Sequence, residues 1–241
     1  MPRRYPLLGT EDPQSIKATR PFTAKSEQEI WDLGDPTGKR VIKPMKISQF
    51  QRDMNSSKFP FIPDHSAPVS APRLAWMTEI QNLDLALLLP DLIEGLTDKD
   101  KSYSTVAMLA ITDVFKHGPV EKVIDALPTL TIAVGKALAM NNVEVNRRVI
   151  EALRRMCVIH PGVGPDLAFY MRELLVPLRY FFEKTKNQKD HIVYNEKMHP
   201  DIYDPIDELV KLFLQIAGPE LDTAERNIKK AIPTYELSHD L

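Results

Sequence analysis

Proline is the residue that most limits what this chain can fold into, because it removes a backbone donor and breaks both helices and central strands. Ten of the 20 prolines fall in residues 1–72, scattered so that neither a helical nor an alternating pattern survives for long. That first third is therefore read as an extended Pro-rich N-terminal arm, with one short helix within Ser48 to Met54 and an extended Phe59 to Pro63. Yet it carries large apolar side chains, Tyr5, Phe22, Trp31, Phe50, Phe59 and Phe61, interleaved with Arg3, Arg4, Arg20, Lys39, Arg40, Lys43 and Lys46. Disordered segments usually lack aromatics. Two readings follow: the rings lie along the surface of a partner, or the arm packs on its own body.

From Arg73 the pattern becomes helical to the end, which sets the expected domains at 1–72 for the arm and 73–241 for the body. Trp76, Ile80 and Leu83 keep a helical spacing, and Pro90 then opens a helix to about Leu96. Tyr103, Val106, Ala107, Ala110, Ile111 and Val114 share one face of a helix that His117-Gly118-Pro119 ends. The next helix starts at Val120 and is kinked or divided at Pro128. After Asn141-Asn142, Val149, Ile150, Leu153, Met156 and Cys157 line one face of a further helix. Leu167 to Phe182 reads as a helix pair or kinked helix at Pro177, and residues 183–200 as a polar insertion. Asp204 is expected to cap a helix with Pro205 at its first position, and a last helix spans Glu220 to Ile232.

An apolar residue followed by Pro recurs at Pro90, Pro128 and Pro177, intervals of 38 and 49 residues, near the period of HEAT and armadillo units. The expected fold is all-α, an armadillo/HEAT-like α-solenoid with the arm in front of it.

Little in the chain suggests catalysis. Gly34 to Arg40 is one residue short of a phosphate loop, lacks its Ser or Thr, and follows no strand. The six histidines do not pair at the spacing of a zinc helix, and only His191 and His199, with Asp190, share a segment. Cys157, the only cysteine, sits on an apolar face and is expected to be buried and inert. No catalytic, cofactor-binding or metal residue is assigned, and the chain is not read as an enzyme.

A net charge of −2 and a pI near 6.3 argue against nucleic-acid and anionic-membrane partners. No apolar run approaches the roughly 18 residues of a membrane span. The balance is uneven, since residues 1–72 hold 11 Lys and Arg against 8 Asp and Glu. In the body one positive patch stands out, Arg147, Arg148, Arg154 and Arg155, either a solvated face or a surface for an acidic protein.

From Phe50 onward the chain resembles the parkin co-regulated gene product family. The likeness rests on Phe59-Pro60, Trp76 with Ile80, Leu83-Asp84, Leu89-Pro90, Gly95-Leu96, Asp113 with His117-Gly118, Leu127-Pro128, Lys136-Ala137-Leu138 and Tyr170 ahead of Leu174-Leu175. Its most specific part is the ending, Asn227 to Glu236, which closes on Pro233-Thr234-Tyr235-Glu236. Ser57-Lys58, where that family has Gly-Asp, and the long 190–200 segment mark a divergent member or paralogue.

The resemblance implies an armadillo/HEAT-like protein of the cytoskeleton in ciliary or flagellar axonemes. Its implied partners are α/β-tubulin of doublet microtubules and other inner-junction proteins, with no nucleic acid and no membrane. Its implied role is that of a microtubule inner protein, joining the B-tubule wall to the A-tubule. The residues expected to meet these partners are the aromatic and basic residues of the arm, the four arginines and Tyr235. The alternative is a soluble armadillo-like adaptor that holds a peptide or small protein.

Overall fold

The computed structural model describes residues 47–64, 66, 68, 72–182 and 202–236. These residues form a mostly helical body with one small antiparallel hairpin.

The body begins by Ile47, well before the expected boundary at 72 and 73. Helix α1, Gln49–Asn55, starts where Ser48 accepts the Gln51 backbone N–H at 3.1 Å. Strand β1, Phe61–Pro63, pairs antiparallel with β2, Leu74–Trp76, in the register Phe61↔Trp76. The helical spacing of Trp76, Ile80 and Leu83 is thus misleading: Trp76 ends a strand and Ile80 opens a single 3₁₀ turn. Spacings of three and four do not separate a helix from a strand followed by a tight turn.

Four long helices form the centre: α2, Leu85–Leu96; α3, Lys101–His117; α4, Val120–Leu138; and α5, Val143–Ile159. Three of the four start at a side-chain cap, and α4 follows Pro119 without one. Asp84, Asp100 and Asn142 accept N–H groups of the first turns of α2, α3 and α5, and the positive φ of Asn141 turns the chain into α5. Pro90 and Pro128 lie inside α2 and α4 and do not open or divide them. On the expected faces, Ala107, Ala110, Ile111 and Val114 of α3 and Val149, Ile150, Leu153, Met156 and Cys157 of α5 are buried, while Tyr103 and Val106 of α3 are half-buried against the core.

Beyond Pro161 the elements shorten to α6, Gly164–Leu167, and α7, Met171–Leu175, with Pro177 in a 3₁₀ turn. Helix α8, Tyr203–Ile216, has no side-chain cap, so Asp204 is a first-turn charge and Pro205 its third residue. Gly218, at φ +53°, turns the chain toward α9, Leu221–Ala231. One apolar core runs from Phe50 through α2 to α5 and on to Ile232 and Tyr235. Within it α2 packs chiefly on α4, α5 on α3 and α8, and α7 on α9.

Candidate partner-binding surface

Of the expected partner residues, Arg3, Arg4, Tyr5, Arg20, Phe22, Trp31, Lys39, Arg40, Lys43 and Lys46 lie outside the described residues. So do Gly34 to Arg40, His191 and His199.

Phe50, Phe59 and Phe61 do not face a partner. They are 2%, 4% and 2% exposed and form a row with Trp76, ring centroids 5.1, 5.4 and 4.9 Å apart in turn. Each buried phenylalanine is worth about 1.5–3 kcal/mol, enough to hold a short helix and hairpin against α2 and α3. Trp76 Nε1 donates to Asp113 Oδ2 at 3.2 Å and ties the end of the row to α3. For these three rings, then, the arm's need for a surface is met by the same polypeptide.

Tyr235 is also structural. Its hydroxyl donates to Asp207 Oδ1 at 2.9 Å, Lys229 Nζ donates to its carbonyl at 2.9 Å, and its ring packs 5.5 Å from that of Phe182. Burial, with the hydrogen bond to the Asp207 carboxylate, raises the phenol above its usual range. Asn227 Nδ2 donates to the Ala168 carbonyl at 2.9 Å. The specific ending therefore has a physical purpose: it locks α9 and the following turn onto α6 and α8.

The four arginines of α5 divide. Arg147, Arg148 and Arg155 line a groove of ≈ 580 Å³ between α3 and α5, together with Lys101, Ser104, Thr105, Met108, Leu109, Val143 and one acid, Glu144. Arg154 stands outside it, its Nε 2.9 Å from Glu151 Oε2. Arg155 is fixed from two sides, by Glu151 Oε1 at 2.9 Å and Thr112 Oγ1 at 2.7 Å. Burial opposes ionisation of Glu151, but the two guanidiniums outweigh it and hold its carboxyl below the usual range.

Arg148 is partly occupied. Its Nη1 donates to the carbonyls of Leu96 and Asp98 at 2.9 and 3.1 Å, and its Nη2 lies 3.5 Å from Glu144. The buried Asp98 carboxylate in turn accepts Ser48 Oγ at 2.6 Å and Gln51 Nε2 at 2.9 Å. One acidic residue thus joins the start of α1 to the loop that Arg148 holds. The groove thus has a mainly cationic wall, with Arg147 and Lys101 exposed at its rim beside Glu144, over a floor of Met108, Leu109 and Val143. Such a surface suits an acidic protein segment with apolar side chains.

Lys101, Thr105 and Met108 were not expected here. Their only trace in the sequence is a spacing that leaves one stripe of α3 less apolar than the buried one, with no sign that α5 lies opposite. Cys157 is fully buried, and burial pushes its thiol up to about 12. Among the described residues no three His, Cys, Asp or Glu gather as metal ligands, and no helix is long and apolar enough to cross a membrane.

A model of the Parkin co-regulated protein family matches residues 48–237, starting one residue after the described body begins. A Parkin coregulated gene protein homolog of Mus musculus is 28% identical over 243 residues, covering 98% of this chain and 98% of the relative.

Proposed function

The chain belongs to the Parkin co-regulated protein family, and from that premise we propose that it is a non-catalytic structural protein that binds α/β-tubulin of doublet microtubules. In this reading it is a microtubule inner protein of the ciliary or flagellar axoneme. It sits at the inner junction, beside other junction proteins, and stabilises the connection of the B-tubule to the A-tubule. The body acts as an armadillo/HEAT-like strut, and the basic and aromatic residues of 1–46 supply a second set of contacts.

The observation that carries this reading is the rigid cationic groove between α3 and α5. Arg148 and Arg155 are anchored by neighbouring side chains and carbonyls, so little rotamer entropy is lost when an acidic partner arrives. Many weak contacts suffice on a lattice, because adjacent sites raise the effective concentration.

The test is cosedimentation of the full chain with stabilised microtubules at 50 and 300 mM salt. Binding is expected at low salt and is expected to weaken about tenfold at high salt as surface charges are screened. Lys101→Glu with Arg147→Glu should weaken binding at low salt about tenfold. Absence of the full chain from the low-salt pellet would refute the reading.

A further inference from the structure

A second groove, on the α2/α4 face, does not figure in the tubulin reading. Its volume is ≈ 570 Å³. The floor is made of small residues, Ala86, Pro90, Ala133 and Ala137, which allow another backbone to come close. Leu87, Ile132 and Met140 stand around it 71%, 60% and 57% exposed, an unusual expense of apolar surface in water for three residues lining one groove. Methionine at such a site adapts to the shape of what it meets.

The two flanks differ in charge. On the α2 side Asp91 and Glu94 face the groove, and among the described residues Glu94 has no cation within ion-pair distance. Lys58 Nζ lies 4.0 Å from Asp91 Oδ2, the one cation within ion-pair distance of it among the described residues. Burial, together with Asp91 and Asp53, raises the Glu94 carboxyl above its usual range against the weaker opposing pull of Lys136 and Lys58. On the α4 side stands Lys136. Helix α2, with 12 residues, offers a trough about 18 Å long, the length of three helical turns.

We infer that the α2/α4 groove is a docking site for an amphipathic helix of a partner protein, its apolar stripe seated on Leu87, Ile132 and Met140 and its Lys or Arg flank turned to Asp91 and Glu94. This is the helix-in-groove mode, in which apolar anchors give affinity and flanking charge gives orientation. It stands whether or not the chain binds microtubules.

The experiment uses the full chain and two labelled 15-residue helical peptides with the same leucine face, one flanked by Lys and the other by Glu, read by fluorescence anisotropy. The Lys peptide is expected to bind at least about tenfold tighter than the Glu peptide. Ile132→Asp should abolish that binding, and Asp91→Lys with Glu94→Lys should reverse the preference. All three changed residues are at the surface, and unchanged circular dichroism and Tm keep folding out of the comparison. Equal binding of the two peptides, a preference for the Glu peptide in the unaltered chain, or indifference to both variants would overturn the inference. So would concentration-dependent self-association that Ile132→Asp removes, since a second copy would then be the occupant.

Discussion

Thr129 supplies to α2 the hydrogen bond that Pro90 takes away. Proline has no N–H to offer the carbonyl four residues earlier, that of Ala86, and Thr129 Oγ1 lies 3.0 Å from that oxygen while also reaching the Ala126 carbonyl at 3.0 Å. The single hydroxyl proton is shared between the two carbonyls, so the oxygen that Pro90 leaves without a donor is partly satisfied from α4, and α2 runs unbroken from Leu85 to Leu96. Thr129→Val is expected to cost about 0.5–1 kcal/mol, the lower part of the hydrogen-bond range because the site is open to water. Thr129→Ser should be near neutral, and urea unfolding distinguishes the two.

Two helical glycines should respond to alanine with opposite signs. A Cβ on Gly95 would lie 2.8 Å from the Phe50 ring and from Ala107 Cβ, whereas one on Gly135 would meet nothing within 4 Å. The gain in helix propensity is about 1 kcal/mol in both. Overpacking costs about 1–3 kcal/mol at Gly95 alone. Gly95→Ala should therefore lower stability and Gly135→Ala raise it, by equilibrium denaturation of the two variants side by side.

Glu94 gives a pH signature. Its folded value is raised, so the stability it confers is full below the unfolded value, about pH 4.3, and is lost as pH climbs through the folded value. Glu94→Gln should accordingly raise Tm at pH 7 and give no such gain at pH 3.5. Thermal melts at the two pH values check the sign.

Cys157 should resist thiol reagents in the native protein. With its thiol pushed up to about 12 and no exposed surface, little thiolate forms near neutrality. Ellman titration at pH 8 is expected to find no fast-reacting thiol until denaturant is added, and then one equivalent. Rapid native labelling would mean that α5 opens readily.

How much of this was legible in the sequence depended on how far apart the interacting residues lie. The faces of α3 and α5 were readable because Ala107, Ala110, Ile111 and Val114, or Val149, Leu153 and Met156, repeat within one helix. Phe50, Phe59 and Phe61 announced a need for burial but not where it would be met, since Gly95, the residue that makes room for Phe50, is 45 positions away. Asp204 looked like a cap because capping residues and first-turn acids are the same residue types. Of the α5 arginines, residue type gave the charge. Only the packing of α3 and the approach of Thr112 and Asp98 separate Arg147, Arg148 and Arg155, at a groove, from Arg154 beside Glu151.

The central claim is a place in the axonemal wall, and subtomogram averaging of ciliary doublets from cells with and without this chain tests it most directly. The account predicts a helical density at the junction of the A- and B-tubules that accepts the 47–236 body and disappears when the chain is absent. Identical doublet maps in the two cells, with the tagged protein elsewhere in the cell, would contradict it.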